Sequence, residues 1–137
     1  MELIIHEINQ DEEYKTYTLA LFTSWGDDVK GFEFQRSLRG PDDRRAPRPP
    51  FDSYCVVNEG HNTSFGGVTN VASQDGVLKI EFSEKAQEEL GLPTSDVSLV
   101  LNLSSDDIEK VKAGLAHVFS YGPDGALPRI IGLSVDN

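Results

Sequence analysis

Apolar and polar residues alternate with a period of two along most of this chain, and only twice does the spacing lengthen to that of a helix. Leu3-Ile4-Ile5 with Ile8 predicts a short opening strand, followed by a polar turn at Asp11-Glu12-Glu13. From Tyr14 to Trp25, one face carries Tyr17, Leu19, Leu21 and Thr23 and the other Thr18, Ala20 and Phe22, the pattern of a strand buried on both sides. Gly26-Asp27-Asp28 signals a turn, and Phe32 and Phe34 alternate with Glu33 and Gln35 in a strand that completes a hairpin. Residues 53–58 read as the next strand and Glu59-Gly60-His61-Asn62 as its turn. The return strand, 63–72, is interrupted by Gly66-Gly67, a pair that marks a bulge or a close backbone approach. Asp75-Gly76 suits a tight hairpin turn, because both residues tolerate positive φ. Leu78, Ile80 and Phe82, then Val97, Leu99, Leu101 and Leu103, form two half-buried strands, and residues 129–135 a last one.

Two segments break this rhythm. Ser83 is placed to cap a short helix, Glu84 to Leu90, with Gly91 closing it. Ser104 or Ser105 caps a second, whose first turn carries Asp106, Asp107 and Glu109 against the positive helix end. Ile108, Val111, Leu115, Val118 and Phe119 give that helix one apolar stripe, and Gly122-Pro123 stops it. The class that follows is α+β: a predominantly antiparallel sheet of about seven or eight strands, with two helices from the C-terminal half covering part of one face. No repeat and no second composition regime appears, so residues 1–137 read as a single domain.

Charge changes the picture. The formal charge is −11, yet five of the six arginines (Arg36, Arg39, Arg44, Arg45, Arg48) fall between Phe34 and Phe51. Four prolines and a glycine between Gly40 and Pro50 exclude a helix or a central strand there, so residues 39–51 are expected to be an exposed loop. An acidic body repels phosphate, which argues against nucleic acid as a direct partner and favours a basic protein. No basic-then-apolar leader and no run long enough to cross a bilayer is visible, so the expected location is the cytoplasm.

Candidate chemistry is sparse. His6, His61, His117 and Cys55 lack the spacing of a metal site, and no metal or cofactor is expected. His117 sits near a helix C-terminus, where an imidazolium would be welcome. Cys55, between Tyr54 and Val56, reads as a buried strand thiol. The acidic pairs are adjacent in sequence, whereas catalytic dyads converge from separate segments, so no catalytic residue is assigned. Trp25 is either core or an interface anchor. The exposed candidates for contact with a partner are Asp27, Asp28, Glu59 and Asp75, with His61 and Asn62 at a hairpin tip. Two other readings compete. One is a scaffold that self-associates through an edge strand; the chain itself is expected to be a monomer or a homodimer. The other is a small enzyme or ligand-binding domain with a pocket near Gly66-Gly67, lined by Tyr54, Phe65 and His61.

One block is more specific than its parts. Tyr54-Cys55-Val56-Val57, Phe65-Gly66-Gly67-Val68 and the strand Leu78 to Phe82 come first. The helix end Glu89-Leu90-Gly91-Leu92-Pro93, the strand Val97 to Leu103 and the helix Ile108 to Phe119 follow. This order resembles the immunity protein 10 family of bacterial polymorphic-toxin systems. The resemblance spans roughly residues 52 to 120 and leaves out the N-terminal hairpin and the arginine-rich loop. It implies a small cytoplasmic protein that binds a cognate toxin domain and blocks it. Such toxins are often nucleases, basic because they hold phosphate. The arginine-rich loop then reads as an element of partner choice.

Overall fold

The computed structural model describes residues 1–24, 26, 28–39 and 53–133. Among the described residues the alternating segments form ten strands in two five-stranded, mostly antiparallel sheets, so the class is α+β. The strands are more numerous than the seven or eight expected, and they are divided between two sheets. In one sheet β1 (Glu2–Ile5), β9 (Asp96–Leu101), β8 (Val77–Phe82), β7 (Val68–Gln74) and β10 (Arg129–Ile131) lie side by side in that order. In the other the order is β2 (Glu7–Glu13), β3 (Thr16–Phe22), β4 (Gly31–Ser37), β5 (Cys55–Asn58) and β6 (Thr63–Phe65), every neighbour antiparallel. Two pairs, β1 with β9 and β10 with β7, are parallel. Each joins strands far apart in the chain, as the long crossover of a parallel pair requires.

Two crossings explain the split. At His6 the chain leaves the first sheet for the second, and at Gly66-Gly67 it returns. Both glycines adopt positive φ, 71° and 88°, which a side chain would resist. A Cβ on Gly67 would also stand 2.6 Å from the Ala86 Cβ, so the corner is pressed directly onto the first helix. The expected single strand over 63–72 is therefore two short strands in different sheets.

The N-terminal hairpin differs too. Asp11, Glu12 and Glu13, expected to form a turn, belong instead to β2, paired in register with Thr18, Tyr17 and Thr16. The reversal is made by Tyr14-Lys15, both left-handed at φ 52° and 60°. This is the two-residue turn geometry usually supplied by Asn-Gly, which hides it in the sequence.

Inward-facing residues of the two sheets share one core: Leu19, Leu21, Phe32, Phe34 and Val56 from the second, Leu78, Ile80, Phe82, Val97 and Leu99 from the first. The rings of Phe32 and Phe82, 6.1 Å apart, join them directly. Helix α1 (Glu84–Leu90) begins and ends as expected, with the Ser83 hydroxyl accepting from the Ala86 N–H and Gly91 in the left-handed region. Helix α2 (Ser105–Val118) is capped by Ser104 and buries Val111, Leu115 and Val118. Its Gly114 lies so close to β3 that a Cβ there would be 2.5 Å from the Tyr17 hydroxyl. Phe119 follows, edge-on to Phe34 and Tyr54.

Arg36 stands apart from the expected loop. It lies on β4, and its guanidinium donates to the carbonyls of Ser37 and His117 while lying 4.6 Å above the Tyr121 ring. It therefore meets the negative end of α2, the role expected of His117. Burial first, and then the Arg36 charge, lower the His117 pKa, and its ring packs edge-on against Tyr17. Arg44, Arg45 and Arg48 lie outside the described residues, as does Phe51.

Tyr54 ties the crossing to the core. Its hydroxyl accepts from the Val68 N–H at 3.0 Å and donates to the Ala126 carbonyl at 2.7 Å. Burial pushes its pKa up to about 12. Because the folded state keeps this proton longer than the unfolded state, the Tyr54 contribution to stability is intact below about pH 10 and is lost between pH 10 and about 12. Two units correspond to a loss of roughly 2–3 kcal/mol. Urea titrations at about pH 8 and pH 12 should show this loss. Tyr54→Phe should remove this part of the loss, leaving that of Cys55 and Tyr17, whose pKa values burial also raises; an equal slope in the variant would assign the loss elsewhere.

Candidate partner-binding surface

One end of the second sheet gathers most of the expected contact residues. Pairing of Phe32 with Asn58 sets the β5–β6 turn beside the β3–β4 connection. The link is explicit: the Gly31 N–H donates to the Glu59 carboxylate at 3.0 Å. Asp28, Glu59, His61 and Asn62 are exposed at this end. Trp25 and Asp27 belong to the same connection but lie outside the described residues. Asp75 does not join them through pairing. With φ 54° it heads the β7–β8 hairpin of the other sheet, followed by Gly76 at 78°, as its sequence suggested.

The residue that shapes the tip is Asn58, which the alternating pattern presents only as the end of a strand. It is buried, and its side-chain carbonyl accepts from the N–H groups of Gly60 and Asn62 at 3.0 and 3.1 Å. Its amide donates to the Leu90 carbonyl at 2.6 Å, at the end of α1. Two backbone bonds, Asn58 N–H to the Asn62 carbonyl and His61 N–H to the Asn58 carbonyl, close the turn. His61 is held at φ 64°, so its imidazole projects from a fixed backbone. Only the asparagine before Glu-Gly-His-Asn could have signalled this, since asparagine bonds its own following backbone. Between the two connections lies a small hollow of about 150 Å³ that includes Phe22, Val29, Glu33 and His61.

A second, wider hollow of about 460 Å³ opens at the Gly66-Gly67 corner, bounded by Ser64, Phe65, Ser83, Lys85, Glu89 and Ala126. Phe65 is 42% exposed at its mouth. Tyr54 and His61, expected here, do not line it, because the Tyr54 hydroxyl is committed beneath the corner and His61 belongs to the tip. The Ser64 hydroxyl lies within donating distance of the Glu89 carboxylate (3.0 Å), and that of Ser83 caps α1. These polar groups serve the fold.

Cys55 is half-buried rather than buried. Its thiol lies 3.4 Å from the Gln35 side-chain oxygen, and burial pushes its pKa up to about 11. A thiol so raised is a poor nucleophile at neutral pH. Among the described residues no three His, Cys, Asp or Glu side chains converge to hold a metal ion. Among them, too, no helix is long and apolar enough to cross a membrane.

Polar turns projecting from a packed sheet are a form of surface that proteins commonly use for recognition. The family comparison gives that class its particular form. The model of the immunity protein 10 family matches residues 4–109, and the chain belongs to that family. It is thus an immunity protein, and its kind of partner is a polymorphic toxin. The match starts well before the block at 52–120 and takes in the N-terminal hairpin, which the resemblance of that block left out. Comparison with curated proteins returned no match.

Proposed function

We propose that the chain neutralises a basic toxin domain in the cytoplasm by seating the end of the second sheet in the toxin's working cleft. It acts by occlusion, without chemistry of its own. The observation that carries this reading is the fixed tip. Asn58 and Glu59 hold residues 59–62 in place before any partner arrives, so little ordering entropy is lost on binding. Asp28, Glu59, His61 and Asn62 form the centre of contact. Trp25 and Asp27, next to Asp28 in the sequence, are further proposed contacts, and Asp75 contributes to the field more than to the contact. With a charge of −11 the protein attracts a cationic partner from a distance, speeding association at low salt.

The double variant Asp28→Lys, His61→Ala tests this. Both side chains are exposed, and alanine at the left-handed position 61 costs only about 1 kcal/mol, so the fold should be retained. Affinity for the toxin should fall about 10–100-fold. The association rate should lose part of its salt dependence, and cells co-expressing toxin and variant should die. Survival with unchanged affinity would place the contact elsewhere.

A further inference from the structure

The open edge of the second sheet offers a further point of attachment, given the reading above that the partner is a basic toxin. β2 is the last strand on its side of that sheet among the described residues. It pairs with β3 through seven consecutive residues without a register shift. The two-residue turn makes Glu13 and Thr16 a hydrogen-bonded pair, and bonding alternates from there. The N–H and C=O groups of Ile8, Gln10 and Glu12 therefore point away from β3, along the open edge.

Sheet edges are normally blunted by brevity, bulges, proline or charged side chains, lysine above all. Of these β2 has charge alone: it is seven residues long and contains no proline, glycine or lysine. It is also anchored, since the Gln10 side-chain amide reaches the Lys110 carbonyl of α2 at 3.4 Å. What remains is charge of a single sign, Glu7, Asp11, Glu12 and Glu13, with residues 9–13 exposed. That charge selects the occupant. A second copy pairing antiparallel about Gln10 would set Glu7 against Glu13 at both ends, and like charges opposite one another are destabilising. A strand bearing lysine or arginine at the facing positions would be stabilised by the same groups.

We infer that β2 is a docking edge onto which an extended basic segment of the toxin adds as a sixth strand. Main-chain bonds to Ile8, Gln10 and Glu12 supply the attachment, and the acidic side chains set which segments are accepted. Amide exchange followed by NMR tests it, using the cognate toxin domain carrying an inactivating substitution. The amides of Ile8, Gln10 and Glu12 should exchange at least about tenfold more slowly in the complex. Glu12→Pro, which removes an N–H that β3 does not use, should weaken affinity at least about tenfold with an unchanged circular dichroism spectrum. Should the proline destabilise the hairpin, the exchange rates of the unmodified protein decide alone. If the toxin binds and the tip variants weaken it while these three amides exchange as in the free protein, the docking edge is refuted and the occlusion reading stands. Protection of the same amides by self-association in the absence of toxin would also refute it. A toxin that does not bind at all would remove both.

Discussion

Replacing Phe32 with alanine is expected to cost about 3–5 kcal/mol, among the largest losses any single truncation in this core can cause. The ring is 1% exposed and sits where the two sheets meet, 6.1 Å from both Phe34 and Phe82. Its strand neighbours across the register are Leu21 and Asn58, both buried, so a cavity at this point has little freedom to collapse. A domain of ordinary stability, about 5–15 kcal/mol, would be left marginal. Urea unfolding followed by circular dichroism measures this directly. A loss under about 1 kcal/mol would mean that the sheets do not depend on the Phe32–Phe82 contact. Because Gly31 precedes Phe32 and holds Glu59, the variant should also loosen the tip and weaken toxin binding beyond what the exposed surface explains.

Asn58→Ala is expected to cost about 4–6 kcal/mol and to abolish most toxin affinity. Two N–H groups lose their acceptor, and the Leu90 carbonyl loses the amide 2.6 Å away. Each ordinary bond is worth about 1 kcal/mol, and a buried carbonyl left without a partner costs about 1–3 more. Asn58→Asp separates the two roles. It keeps the acceptor for Gly60 and Asn62 but turns an anion toward the Leu90 carbonyl, so it should preserve the turn while detaching it from α1. Calorimetry and binding on both variants distinguish them. If Asn58→Ala binds toxin with unchanged affinity, the prearranged tip is not the contact and the proposed function must move to another surface.

These effects centre on residues whose importance the linear sequence expressed unequally. The apolar alternation of Phe32 and Phe34 announced a strand with a buried face, and the caps at Ser83, Gly91 and Ser104 announced the helices, because both signals are local. The acidic strand β2 was hidden. Its side chains carry no alternation to read, and its turn residues, Tyr14 and Lys15, adopt positive φ only because the paired strands on either side hold them there. Asn58 was hidden for a different reason: its partner Leu90 lies in a helix beyond the next three strands. Arg36 looked like one of a cationic cluster, and only the approach of α2 turned it into a helix cap.

By itself, then, the sequence determined the α+β class, the two helices with their caps, the hairpin turn at Asp75-Gly76, the acidic character and a resemblance to the immunity protein 10 family. These depend on local periodicity, on turn chemistry and on composition. Tertiary structure alone decided that the strands divide into two sheets, that Gly66-Gly67 is the corner between them, and that β2 ends a sheet. It also decided that Asp28, Glu59, His61 and Asn62 share one end while Asp75 heads a hairpin of the other sheet. Those outcomes follow from which strand pairs with which. Pairing between distant segments is fixed by the burial of a common core, which no local pattern records.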